Sequence, residues 1–373
     1  MSNIILVGPA SPFRGGIADL NEAFALSLVK NGHKVEIISF TLQYPKFLFP
    51  GKTQFRKNPT PPSKYKITSL INSINPINWF KTANYIIKQK PDKVFIRFWM
   101  PFFGPSLGWI AKRLTLKNIP VFSIVDNAIP HEKRWGDKIL TNYFIKKCNK
   151  NFTLSDNVKL DIQKLNPIAN TVALFHPIYN TFNPKPDRKF ALKELKLNDN
   201  KFLLFFGLIR SYKGLHLAIE AMSHPSIKEL KIKLLIAGEF YENQEKYETI
   251  INDLKLENII IVNEFISQNL VPHYFSVANA VVLPYTSATQ SGITQLAMNY
   301  ECPMIVTNVG GLPEVIDNNK DGIIVEPNVN SLANGILQYF NDPENEFKMS
   351  ELMRVKKNNY SWDIFTKTIL AQT

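Results

Sequence analysis

An apolar, strand-like run, KFLLFFG, passes directly into LIRSYKG, so Gly207, Arg210, Lys213 and Gly214 fill one strand-to-helix turn. Two fixed cations beside a backbone with little side-chain cover suit a diphosphate. Negative charge growing on a departing phosphate would meet a prepositioned Arg and Lys without a metal. Ser291 and Gly292, in TQSGITQLAM, stand at an expected helix start directly after another apolar run, and Gly310-Gly311-Leu312-Pro313-Glu314 opens a second short helix. Free N–H groups and the positive end of the helix dipole make such starts receptive to anions. Near the N-terminus, GPASPFRGGIADL places Gly15 and Gly16 at a helix start, where the backbone can receive a phosphate or a sugar oxygen.

His131, next to Glu132 in NAIPHEKR, stands after a strand, where an imidazole can orient an acceptor or donor hydroxyl. The sequence contains no Asp-x-Asp, a common divalent-cation clamp, and the expected chemistry is metal-independent with no resident cofactor. Cys148 and Cys302 are far apart and lack metal-ligand spacing. They read as plain core residues of a reducing compartment, not as a disulfide framework or a zinc site.

These turns need strands to carry them, and short β-branched and aromatic runs alternate with amphipathic stretches twice along the 373 residues. The first series is expected at 3–8, 34–40, 93–98, 121–126, 151–155 and 171–175. The second is expected at 201–207, 231–238, 258–265, 280–285, 303–308 and 322–327. Strand-helix alternation of this kind builds parallel sheets, and ligands bind beyond the carboxyl ends of their strands. The proline-bearing segment 175–189 has linker chemistry, which puts a domain boundary near residue 185. The exception to the pattern is 41–66, a long connection in which Phe47, Phe49 and Phe55 lie among Lys46, Lys52, Arg56 and Lys57. That mixture suits a membrane interface or a loop packed on its own domain.

The formal charge of +13 is unevenly placed. Residues 1–185 hold 26 Lys and Arg against 9 Asp and Glu, and the remainder hold 18 against 22. The basic half implies an anionic neighbour, either a membrane leaflet or a phosphate-bearing acceptor, unless its lysines are simply solvated. No nucleic-acid motif accompanies it, so nucleic acid is not expected as a partner. The opening MSNIILVGPA lacks the basic leader and cleavage site of a signal peptide, and the apolar window 94–111 is broken by Arg97, two prolines and two glycines. A cytoplasmic protein, soluble or at the inner face of the plasma membrane, is the expectation.

Over nearly its whole length the chain resembles the retaining, two-lobed glycosyltransferases of family four, the group 1 glycosyl transferases. The likeness rests on GGIAD, NAIPHEKR, GLIRSYKG, TQSGITQLAM, VGGLPEVI and the terminal NYSWDIFTKTIL. The resemblance implies an α/β fold of two Rossmann-like parallel-sheet domains facing across a cleft, the GT-B architecture. An acceptor-binding domain would span 1–185 and a nucleotide-sugar donor domain 186–358, with 359–373 crossing back to the first. It further implies that Arg210 and Lys213 serve as donor-diphosphate cations, with Gly207 in their turn. Gly15 and Gly16 would face the sugar, and Ser291 and Gly292 would hold phosphate by the backbone; Glu314 belongs to a turn common in the family.

The implied reaction moves a sugar from a nucleoside-diphosphate donor to a saccharide or lipid-linked saccharide with retention, in cell-surface polysaccharide synthesis. Two departures stand out. Of the family's two glutamates, the one that holds the ribose aligns with Gln295 and the other with Ser287 or a neighbour. A His-Asn pair common after the fourth strand reads Asp126-Asn127 here. Gln295 can still hydrogen-bond a ribose hydroxyl. The alternative the missing glutamates raise is an inactive sugar-nucleotide-binding or scaffold subunit.

Overall fold

The computed structural model describes residues 1–45, 53–56, 63–130, 135–179 and 182–373. They form two compact units, Met1–Pro177 with Ser361–Thr373, and Ile178–Tyr360.

In the first unit the strands are β1 (Asn3–Val7), β2 (Lys34–Leu42), β3 (Lys66–Asn72), β4 (Lys93–Phe98), β5 (Val121–Val125), β6 (Lys150–Thr153) and β7 (Thr171–Ala173). All pair in parallel, in the order β3-β2-β1-β4-β5-β6-β7. The central strands are covered on both faces and therefore read as nearly unbroken apolar runs. Ile5, Val7, Val94, Ile96 and Val125 belong to a core shared with Leu107, Ile110 and Phe144, and the Phe98 and Phe144 rings stack at 4.4 Å. β3 was not expected. It is a half-exposed edge strand whose apolar residues are interrupted by Ser69 and Asn72, so it presents no continuous apolar signal.

The helix Gly104–Thr115 lies tightly against the helix Asp137–Ile145. A Cβ on Gly104 would be 2.5 Å from the carbonyl oxygen of Leu140, and one on Gly108 would be 2.6 Å from the Tyr143 ring. The stretch FIRFWMPFF therefore belongs mainly to the interior, with Phe95, Arg97, Phe98 and Phe103 all buried. The final helix, Trp362–Ala371, packs on the helix Gly16–Lys30 of the same unit. Phe24 stacks on Trp362 and meets Phe365 edge-on, and Ser27 Oγ lies 2.7 Å from Thr366 Oγ1.

The second unit contains β8 (Phe202–Phe206), β9 (Lys233–Ala237), β10 (Ile259–Val262), β11 (Ala278–Leu283), β12 (Met304–Thr307) and β13 (Gly322–Val325). Their parallel order is β10-β9-β8-β11-β12-β13; five fall within an expected run, and β11 begins two residues before the expected 280–285. Leu203, Phe205, Leu234, Ile236, Val282 and Ile305 form the sheet's part of a core completed by Leu217, Ile219, Leu332 and Ile336. Both units share the doubly wound order in which the winding direction reverses beside the first strand. The reversal falls between β1 and β4 in one and between β8 and β11 in the other, the place where such sheets receive ligands. Among the described residues no helix is long and apolar enough to cross a membrane.

Candidate functional site

The turn after β8 is built by close backbone approach. Beyond Phe206 the chain stays paired with the segment after β9, since Gly207 N–H donates to Ala237 and Ile209 N–H donates to Glu239, at 2.9 Å each. A Cβ on Gly238 would lie 1.9 Å from the carbonyl oxygen of Gly207, so the two strand ends meet only because that residue has no side chain. Arg210 then precedes a single 3-10 turn, Ser211–Lys213, and its guanidinium lies over the Tyr241 ring at 5.3 Å. Gly214 closes the turn at φ 65°, a left-handed conformation that disfavours other residues. A Cβ there would sit 1.9 Å from the carbonyl oxygen of Pro284. Thr286 N–H donates to the Tyr212 carbonyl at 2.8 Å, clasping the loop after β11 onto this turn.

Lys213 is buried, and among the described residues it makes no ion pair. Its ammonium lies over the Tyr285 ring at 5.6 Å and 3.4 Å from the point a Cβ on Gly207 would occupy. Loss of hydration, and then the neighbouring Arg210 charge, push its pKa down from 10.5 to about 7. The cation is thus held out of water with the glycine face of residue 207 beside it. That arrangement favours an anion able to displace the remaining water and supply the missing counter-charge.

The helix Gly292–Asn299 follows the loop after β11. Ser291 caps it, its hydroxyl accepting from Ile293 N–H at 3.2 Å and lying 3.2 Å from Tyr285 Oη. The Ser291 side chain is therefore engaged in the helix cap and in Tyr285. A Cβ on Gly292 would be 2.8 Å from Tyr179 Oη, and the Ile293 side chain reaches to within 3.2 Å of the Gly207 Cβ position. Gln295, in the first turn, is 1% exposed, and its Oε1 has no hydrogen-bond partner. A buried amide oxygen without a donor is costly, and a hydroxyl arriving with a ligand would satisfy it. The turn after β12 leans on the same loop: Cβ atoms on Gly310 and Gly311 would lie 1.7 Å and 2.4 Å from the carbonyl oxygens of Ala288 and Thr289. Glu314, in the 3-10 turn Pro313–Val315, is exposed, with Oε1 3.5 Å from the Gly311 Cβ position.

The structure thus brings Gly207, Arg210, Lys213, Ser291, Gly292 and Gln295 to one end of the second sheet, with the Gly310–Glu314 turn beside them. Tyr285 and Tyr241, the rings under the two cations, carried no sequence signal, because one reads as the end of an apolar strand and the other as an ordinary loop residue.

In the first unit Gly15 has φ 105° at the start of the helix Gly16–Lys30, and a Cβ on it would meet nothing within 4 Å. The backbone there faces open space. Asp126 forms a two-pronged pair with Arg97, Nε to Oδ2 at 2.6 Å and Nη2 to Oδ1 at 2.5 Å, both side chains being buried. Burial pushes the Asp126 carboxyl up, opposed by the Arg97 charge. His176, which no motif singled out, is also buried. Its Nδ1 lies 2.8 Å from the Pro177 carbonyl, which requires the Nδ1–H tautomer, and burial pushes its pKa down to about 4. His131 lies outside the described residues, as do Phe47, Phe49, Lys46, Lys52 and Lys57. Phe55 and Arg56 are described: Phe55 packs on Phe13, and Arg56 pairs with Asp19 and Glu22 at 2.6 and 2.9 Å.

Residues 187–361 match the family model for glycosyl transferases group 1. Alpha-1,3/1,6-mannosyltransferase ALG2 of Dictyostelium discoideum is 30% identical over 321 residues, covering 73% of this chain and 75% of that protein. The chain belongs to the group 1 glycosyltransferases. A glycosyltransferase of Methanocaldococcus jannaschii is 25% identical to this transferase and covers 95% of it and 92% of itself. The fold also matches that of Anabaena HepE, solved in complex with UDP, with a TM-score of 0.75 at 14% identity and 99% coverage of both chains. The matched family segment contains the β8 turn, the Ser291 cap, Gln295 and the Gly310–Glu314 turn of this transferase.

Proposed function

We propose that this glycosyltransferase moves a sugar from a nucleoside-diphosphate sugar to a saccharide or lipid-linked saccharide, with retention of configuration, in cell-surface polysaccharide synthesis. The observation that carries the donor reading is Lys213, a buried cation without an ion-pair partner among the described residues, beside the backbone of Gly207 and in the same turn as Arg210. As the sugar–phosphate bond breaks, charge grows on the diphosphate, and a preorganised cation in a water-poor site stabilises it more than water would. The acceptor hydroxyl attacks on the face the diphosphate leaves, and the departing phosphate oxygen takes its proton, so the chain need supply no carboxylate base. Gln295 Oε1 receives a ribose hydroxyl. The absence of Asp-x-Asp in the sequence supports catalysis without a metal. The basic first unit supports work at the inner face of an anionic membrane, where lipid-linked acceptors reside.

The test is calorimetry and diphosphate release with UDP-, GDP-, ADP- and dTDP-sugars, with and without EDTA. UDP-sugars come first because HepE has been solved with UDP and with UDP-glucose. Selective binding of one nucleotide sugar and EDTA-insensitive release of its diphosphate are expected. Absence of binding by all four would remove the donor reading, and loss of activity with EDTA would remove metal independence. Binding with no turnover on any acceptor would instead favour the inactive-subunit reading that the replacement at Gln295 raises.

A further inference from the structure

We propose that the outer face formed by the helices Pro76–Lys88 and Gly104–Thr115 of the first unit docks on an anionic lipid surface. The first helix buries Thr82, Ala83 and Ile86 and turns Ile77, Phe80 and Lys81 outward, three residues on one helical face. Ile77 is 71% exposed and Phe80 46%, while Ile74, just before the helix, is 55% exposed. The second helix adds Trp109, Lys112 and Arg113 on its outward side, and Leu116 follows at 65% exposure.

The two sets form one patch. Phe80 and Trp109 lie 6.1 Å apart, and the Arg113 guanidinium lies over both rings, at 5.2 and 5.8 Å. Exposed apolar residues scattered singly need no explanation, but a joined group rimmed by cations does.

Charge decides the occupant. Neither helix contains an acidic residue, and between Glu36 and Asp126 the chain has 14 Lys and Arg against the single acid Asp92. Among the described residues Lys81, Lys112 and Arg113 make no ion pairs. A protein partner would have to cover isoleucine, leucine and unpaired lysine together. A leaflet does so by construction: aliphatic and aromatic side chains enter the headgroup boundary, while long cationic stems reach back to anionic headgroups. This surface lies outside the 41–66 connection, whose aromatic and basic residues suit a membrane interface or a packed loop and in which Arg56 is already paired.

The inference rests on the membrane-facing part of the function proposed above, and its test separates the two. The full chain is floated with phosphatidylcholine vesicles, with and without about one-third phosphatidylglycerol. Binding to the anionic vesicles only is expected, weakening at about 0.5 M salt as surface charges are screened. The exposed pair Ile77→Ser with Leu116→Ser, and separately Lys81→Gln with Lys112→Gln, should each lower vesicle binding about tenfold. Their affinity for the nucleotide sugar should not change.

No flotation of the unaltered chain, or flotation of both variants as complete as that of the unaltered chain, would overturn the proposal. So would a dimer in sedimentation that the Ile77 and Leu116 changes abolish, because it would assign the patch to a second copy. Because nucleotide-sugar affinity is read in the same samples, failure of the donor site would show separately from failure of the lipid surface.

Discussion

Each unit holds a buried cation near the carboxyl end of its sheet, and the two are treated oppositely. Arg97, in β4, is met by both oxygens of Asp126. Lys213, in the turn after β8, has among the described residues an aromatic ring, a second cation nearby and the backbone of Gly207, but no carboxylate. Taking either charge out of water costs several kcal/mol per ion, which an internal carboxylate offsets for Arg97 and nothing among the described residues offsets for Lys213. Two sheets with the same winding thus separate two uses of a buried charge. A cation with its carboxylate built in holds the fold together, and one without it is ready for an anion from outside.

The largest effect expected is on the paired side. Asp126→Ala leaves Arg97 buried without its counter-charge, and a stability loss of about 3–5 kcal/mol should appear in urea unfolding. Nucleotide affinity of the protein that remains folded should be unchanged. On the unpaired side the signs reverse. Lys213→Met should lower the affinity for the nucleotide sugar between about tenfold and a hundredfold, as loss of a charge-assisted contact does. The same variant should unfold at equal or higher urea, because a buried charge has been removed. A Lys213→Met protein as damaged as Asp126→Ala would erase the distinction between the two cations.

Much of this was legible in the sequence because parallel strands covered on both faces write themselves as apolar runs, as VFIRF and FLLFF do. β3 escaped because an edge strand is half exposed and KITSLIN mixes apolar with polar positions. Arg210 and Lys213 were legible as cations in a glycine-bounded turn. That Lys213 is buried over Tyr285 was not, since it depends on the loop after β11 closing onto Gly214 at the Pro284 carbonyl. By sequence Ser291 belongs to an anion-ready helix start, and in the structure its hydroxyl caps that helix and meets Tyr285. The reading Asp126-Asn127, a departure from the family's His-Asn, acquires a reason only in three dimensions, where Asp126 is the counter-ion of Arg97.

The most direct test uses protons. Burial has drawn the Lys213 pKa from 10.5 down to about 7, so the free protein loses this proton as the pH rises through about 7, while an unfolded lysine keeps it to about 10.5. The burial penalty on folding is therefore full below about pH 7 and relieved as the pH climbs toward 10.5. A bound diphosphate favours the ammonium and raises its pKa again, and a nucleotide sugar has no phosphate proton of its own to exchange near neutrality. The nucleotide sugar should be titrated calorimetrically in two buffers of different ionisation enthalpy, at about pH 6 and about pH 8. A buried Lys213 awaiting a diphosphate predicts uptake approaching one proton at the higher pH, almost none at the lower, affinity falling as the pH rises past neutrality, and no uptake in Lys213→Met. Heats independent of the buffer at about pH 8, or an uptake that survives Lys213→Met, would contradict it.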